Sequence, residues 1–214
     1  PLLPHADSLM LSRGILQNSI PKRTNIPIVL RVSSGNSILN EDLSNEKLCV
    51  SIEDAIRLNA SAVAFSIYIG GAYEHQTIVE FSKLVNDAHR YGIPVLAVTA
   101  VGKDMNRDLR YLSLASRIAV ELGADIVKTY YCEGFSDLIS VCPVPVVIAG
   151  GKKVPELDAL EFAHKAISDG AAGVDMGRNI FQSDSPENMI QAVRSVVVNS
   201  IEPKDAYEQY KSSL

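Results

Sequence analysis

One local pattern recurs seven times along the chain. A short run of apolar and β-branched residues is followed by polar turn residues and then by an amphipathic stretch. The runs are DSLMLS (7–12), PIVLRV (27–32), AVAFSIYI (62–69), PVLAVTA (94–100), DIVKTYY (125–131), VPVVIAG (144–150) and GVDMG (173–177). Their starts are separated by 20, 35, 32, 31, 19 and 29 residues. Strand and helix alternating at this spacing predict consecutive βαβ units with a parallel sheet. Several runs are continuously apolar, as strands are when both of their faces are covered.

The helices between the runs are legible. Residues 51–58 begin with a Ser-x-x-Asp capping pattern. Residues 74–91 carry Ile78, Phe81, Leu84, Val85 and Ala88 at helical spacing, and 107–122 carry Leu109, Leu112, Ala115, Ile118 and Ala119 before stopping at Gly123. Residues 155–169 open with Pro155 at a first-turn position, and 186–199 open with Pro186. Five or six such units suit an open doubly wound sheet; seven suit a barrel better. No Gly-x-Gly-x-x-Gly follows the first run, which counts against a dinucleotide-binding sheet. A (β/α)8 TIM barrel has eight strands in about 250 residues, against 214 here. The expectation is a (β/α)8 barrel in which the chain supplies strands two to eight and the first strand lies upstream of Pro1. It is a single barrel domain over 1–214, with a polar tail from 202 that includes a helix near 205–212.

Charge and composition narrow the function. Twenty Lys and Arg against 25 Asp and Glu leave a net charge of −5, and there is no basic run, which argues against nucleic acid as the main partner. The longest apolar runs are far below a membrane span. Cys49, Cys132 and Cys142 fit neither a disulfide framework nor a zinc site, and the four histidines are scattered. These features predict a reducing, cytoplasmic setting, no signal peptide and no metal centre.

Two constellations carry chemistry. Lys128 sits inside GADIVKTYY, a run otherwise apolar or aromatic. An ammonium there must face a cavity or a partner, because burying it unpaired is costly. Partial desolvation frees a lysine amine as a nucleophile toward carbonyls. Asp175, a carboxylate within GVDMG, also needs a partner, and Lys128 is available if both point inward. The second constellation is glycine-based. AGGKK (149–153) and GRN (177–179) end the last two runs, where barrel loops commonly form a phosphate site. Gly150, Gly151 and Gly177 permit close approach of an anion, with Arg178 and Lys152 as charged partners. Lys103 and Asp104 lie in the loop after the 94–100 run as possible substrate contacts. Ser33, Ser34, Asn36, Glu74 and His75 follow other runs, where turns or caps are their commoner roles.

The stretches VKTYY (127–131), CPVPVVIAGGKK (142–153) and GAAGVDMGRNIFQSDSP (170–186) resemble the class I aldolase family of the archaeal and bacterial type. SRGIL (12–16), NSIL (36–39), YEHQ (73–76) and VGKDM (101–105) extend the resemblance over nearly the whole chain. It implies a (β/α)8 barrel, a ketose-phosphate-like substrate and Lys128 in the place of the Schiff-base lysine. It is strongest toward a thiolase branch acting in phospho-autoinducer-2 breakdown. That branch implies acetyl transfer from a phosphorylated dicarbonyl to coenzyme A as co-substrate, leaving dihydroxyacetone phosphate. A ring-shaped homo-oligomer is implied as well. Two departures from the family pattern stand out. Thr99 occupies the place of the family's acid/base tyrosine, which favours the thiolase, and the Asp-His pair of the family's first strand has no counterpart here. The alternatives are a class I aldolase cleaving a ketose phosphate and a non-catalytic sugar-phosphate-binding protein.

Overall fold

The computed structural model describes residues 1–37, 39–40, 42–101 and 106–213. All seven predicted runs are strands. They are β1 (Leu9–Ser12), β2 (Ile28–Arg31), β5 (Ala62–Ile69), β6 (Val95–Val101), β7 (Ile126–Thr129), β8 (Val146–Ala149) and β9 (Gly173–Asp175). They pair in chain order, β1-β2-β5-β6-β7-β8-β9, and every pairing is parallel. Among the described residues no ladder joins β9 to β1, so the sheet is a curled, open ribbon: seven strands of a barrel, short of the first. An antiparallel pair, β3 (Ser33–Ser34) with β4 (Lys47–Leu48), stands outside this sheet and was not expected from the sequence.

The helices are α1 (Arg13–Ser19), α2 (Ile52–Arg57), α3 (Glu74–Arg90), α4 (Leu109–Glu121), α5 (Phe135–Ser140), α6 (Glu156–Ser168), α7 (Gly177–Phe181), α8 (Pro186–Asn199) and α9 (Pro203–Ser212). The Ser51 side chain accepts from the Asp54 N–H and so caps α2, and Asp108 caps α4 through the Tyr111 N–H. Pro186 stands in the first turn of α8, as expected, whereas Pro155 is the cap residue of α6, one position earlier than its expected place. Among the described residues, no helix is long and apolar enough to cross a membrane.

Strand residues alternate between two cores. Leu30, Phe65, Ile67, Val95, Ala97, Val127, Val146 and Ile148 face the helices and form the main core with Phe81, Leu84, Leu112 and Leu138. Val29, Ala62, Ala64 and Leu96 face inward and pack with Met10, Val98 and Ile126. This inner face is apolar toward the amino ends of the strands. Toward the carboxyl ends the same face carries Arg31, Ser66, Tyr68, Lys128 and Asp175, which line an open cleft. The fold therefore gathers its polar inward side chains at one end of the ribbon. The α9 helix docks on α6 and α8 through buried Ala206 and Tyr210.

Candidate active site

The cleft has a volume of about 570 Å³. On one wall, Lys128 Nζ donates to Asp175 Oδ2 at 2.6 Å. The lysine side chain is 13% exposed and the aspartate 33%. Both belong to the inner face, because Lys128 shares the parity of Ile126, and Asp175 is in register with Ala149 of β8. The carboxylate thus holds the amine at the edge of the cavity. It supplies the partner that a buried ammonium requires. Among the described residues lining this cleft, Lys128 is the one lysine. Lys103 and Asp104 lie outside the described residues.

The glycine loops flank that pair, and Gly150, Gly151, Gly177 and Arg178 all line the cleft. The two loops are held against each other by Asn179, which is 1% exposed. Its amide donates to the carbonyls of Gly150 (2.8 Å) and Lys152 (3.2 Å), and its Oδ1 accepts from the Val154 N–H at 2.9 Å. The glycines differ in role. A Cβ on Gly150 would lie 2.7 Å from the Met176 Cα, so the residue is glycine because the backbones touch. Its N–H donates to the Asp175 carbonyl at 3.0 Å and is not turned to an anion. Gly151 has φ +67° with open space around it, a conformation that favours glycine. In the following pair of lysines, Lys153 is bound to Glu156 at 2.6 Å, which holds that carboxyl below the usual range, whereas Lys152 lines an adjoining cavity of about 360 Å³.

The opposite end of the cleft carries a network of which the sequence pointed to Ser33 alone. Arg31 Nη2 donates to both Glu46 oxygens (2.7 and 3.0 Å) and to Ser66 Oγ (2.7 Å). Ser33 Oγ donates to Glu46 at 2.6 Å and accepts from the Ser66 N–H. The Tyr68 hydroxyl approaches Glu46 at 3.4 Å, and burial, with the Glu46 charge, pushes the phenol up to about 12. Arg31 gave the same signal as Lys128, a lone cation in a β-branched run. Arg107, also unpredicted, lies over the Tyr130 ring at 3.8 Å on the cleft wall.

The remaining candidates have local roles. Asn36 fastens its own loop through the carbonyls of Leu43 and Asn45, and Glu74 accepts from the Gly70 N–H. Ser34 and His75 are exposed and do not line the cleft. Tyr131 turns away from the cleft to pack on Phe135 and Phe162, with its hydroxyl on Asp169 at 2.5 Å. Cys132 and Cys142 are buried, which pushes both thiols up and disfavours the thiolate form.

A family model described as DeoC/LacD family aldolase matches residues 2–183. The chain belongs to this family. As a DeoC/LacD aldolase-family member it is similar over 213 residues, at 58% identity, to a protein of Photorhabdus laumondii named 3-hydroxy-5-phosphonooxypentane-2,4-dione thiolase. The match covers 99% of this chain and 73% of that protein. An Escherichia coli K12 protein of the same name is 57% identical, with the same coverage. Among solved structures, an archaeal fructose 1,6-bisphosphate aldolase superposes with a TM-score of 0.84 at 29% identity, over 92% of this chain and 82% of that one. A second archaeal structure (TM-score 0.83, 29% identity, 89% and 78% coverage) is described as holding its catalytic Lys covalently bound to the carbinolamine intermediate of the substrate.

Proposed function

We propose that the chain transfers the acetyl group of 3-hydroxy-5-phosphonooxypentane-2,4-dione to coenzyme A, giving acetyl-coenzyme A and dihydroxyacetone phosphate, with Lys128 as the catalytic residue. The names of relatives at 57–58% identity support the substrate. The observation that carries the reading is the Lys128 amine, held by Asp175 in the cleft that the glycine loops also line. The same reading gives the chain a cytoplasmic role in phospho-autoinducer-2 breakdown, and so in quorum sensing, as a ring-shaped homo-oligomer.

The chemistry follows from placement. The phosphate sits at Gly151, Gly177 and Arg178, beside Gly150, and leaves the neighbouring ketone over Lys128; such positioning supplies much of the catalysis. Asp175 takes the proton of the ammonium, and the amine adds to that ketone. Loss of water gives an iminium. The coenzyme A thiolate then adds to the acetyl carbonyl. The bond between the acetyl carbon and the hydroxyl-bearing carbon breaks, and its electron pair passes into the iminium. That carbon takes up a proton, and hydrolysis of the imine frees dihydroxyacetone phosphate and the amine.

Borohydride reduction of the protein with dihydroxyacetone phosphate adds mass to the peptide containing Lys128, and Lys128→Ala lowers turnover by about 10³-fold or more with the fold intact. Labelling at Lys103 or Lys152 instead would overturn the assignment. A second reading, a class I aldolase cleaving a ketose phosphate, is favoured by the structural likeness to the archaeal aldolases. Coenzyme A dependence separates the two, and any turnover excludes a purely binding role.

A further inference from the structure

The two ends of the cleft differ in charge balance. At the glycine end, Arg178 and Arg107 line the cleft, and Lys152 lines the cavity that opens beside it. At the far end, the cation among the described residues is Arg31, and it is already matched. Glu46 is 8% exposed and takes two hydrogen bonds from Arg31 Nη2 and one from Ser33. Arg31 itself keeps a third of its side chain exposed to the cleft, with Nε directed to the Ser33 carbonyl and Nη2 engaged. The pair is therefore close to neutral while part of the Arg31 side chain faces the cavity, and Asp42, which lines the same cleft, adds a further carboxylate.

The separation suits a short substrate. Ser66, which binds Arg31, is in register with Val98, and Val98 with Lys128. Two strand spacings of about 4.8 Å place the Arg31 end roughly 10 Å from the lysine. A ketone held over Lys128 with its phosphate at the glycine loops directs its other end toward Arg31, Ser66 and Tyr68.

Charge then decides what that end can be. A bare guanidinium is a phosphate receptor. A guanidinium neutralised by a buried carboxylate offers hydrogen bonds to a carbonyl or hydroxyl oxygen, while the carboxylate repels a second phosphate. We propose that Glu46 is a specificity-determining residue: by neutralising Arg31 it fits the cleft for a ketone with one phosphate and an uncharged, oxygen-bearing far end, and excludes bisphosphates. This rests on the reading that phosphate binds the glycine loops and the ketone meets Lys128.

The test compares D-fructose 1-phosphate with D-fructose 1,6-bisphosphate, which differ only in the far phosphate, as competitors of dihydroxyacetone phosphate. Wild-type protein should bind the monophosphate more tightly. Glu46→Gln, nearly isosteric, should shift the ratio of the two affinities toward the bisphosphate by about tenfold or more. A folded Glu46→Gln with an unchanged ratio overturns the proposal. So does wild-type protein that holds the bisphosphate as tightly as the monophosphate, a result available even if the variant does not fold. If dihydroxyacetone phosphate itself fails to bind, the functional reading falls and the proposal with it; if it binds normally while the ratio stays fixed, the proposal alone falls.

Discussion

Lys128 and Asp175 stand 47 residues apart in the chain and 2.6 Å apart in space. Each was legible for the same reason: a charge in a β-branched run has to find a cavity or a counter-charge. Arg31 met that criterion too, but its partner, Glu46, lies in a polar loop where a carboxylate is unremarkable. Sequence shows the half of such a pair that sits in a strand and hides the half that sits in a turn. Titration offers a check at this scale. Burial pushes the phenols of Tyr68 and Tyr131 up to about 12 from 10.0, aided by the charge of Glu46 and by the bond to Asp169 respectively. A group that holds its proton harder when folded contributes stability that is complete below its unfolded pKa. The contribution is lost as pH rises through the folded value. Urea unfolding measured between pH 9 and pH 12 should therefore show stability falling across about 10 to 12, with a shallower fall in the Tyr68→Phe/Tyr131→Phe double variant. Equal slopes would mean that neither phenol is held in this way.

Strands and long helices were readable because their signals are redundant: several Val and Ile in a row, or five apolar residues at helical spacing, survive one exception. Shorter elements lack that redundancy. The α1 helix has no buried residue, α5 has six residues, and β3 and β4 have two each, too few for any period to declare itself. The glycine loops lie between these cases: their glycines were visible, but their separate duties were not. Those duties predict an order of tolerance. Gly150→Ala forces a Cβ to within 2.7 Å of the Met176 backbone, so strand ends must move apart, at a cost of about 1–3 kcal/mol. The distortion lies beside the proposed phosphate site, so KM for a phosphorylated substrate should rise as well. Gly151→Ala meets no neighbour within 4 Å and costs about 1 kcal/mol for its left-handed backbone. Thermal melts and KM on both variants check the order, and a Gly151 variant worse than the Gly150 variant would refute it.

At the scale of the molecule, the open ribbon is held most firmly at its centre. β5 and β6 share a seven-residue register, whereas β1 is joined to β2 over four residues and is an edge among the described strands. Amide hydrogen exchange should accordingly be slowest at Phe65–Ile67 and Leu96–Val98 and faster at Leu9–Ser12; the reverse order would contradict this topology. Spacing showed parallel βαβ units, and their number, with no Gly-x-Gly-x-x-Gly after the first run, chose the barrel's chain-order sheet over a doubly wound one. The pair β3–β4 was not legible, yet the segment between its strands ends at Glu46. The amine and its carboxylate partner ride on barrel strands, where a shifted backbone would disturb every neighbour. The residue we propose to choose the substrate rides on an excursion outside that ladder. On the proposed reading, the reactive amine and the carboxylate that selects are thus inherited on separable stretches of chain, and replacing residues 35–46 is a route by which a descendant could change its diet while keeping its chemistry.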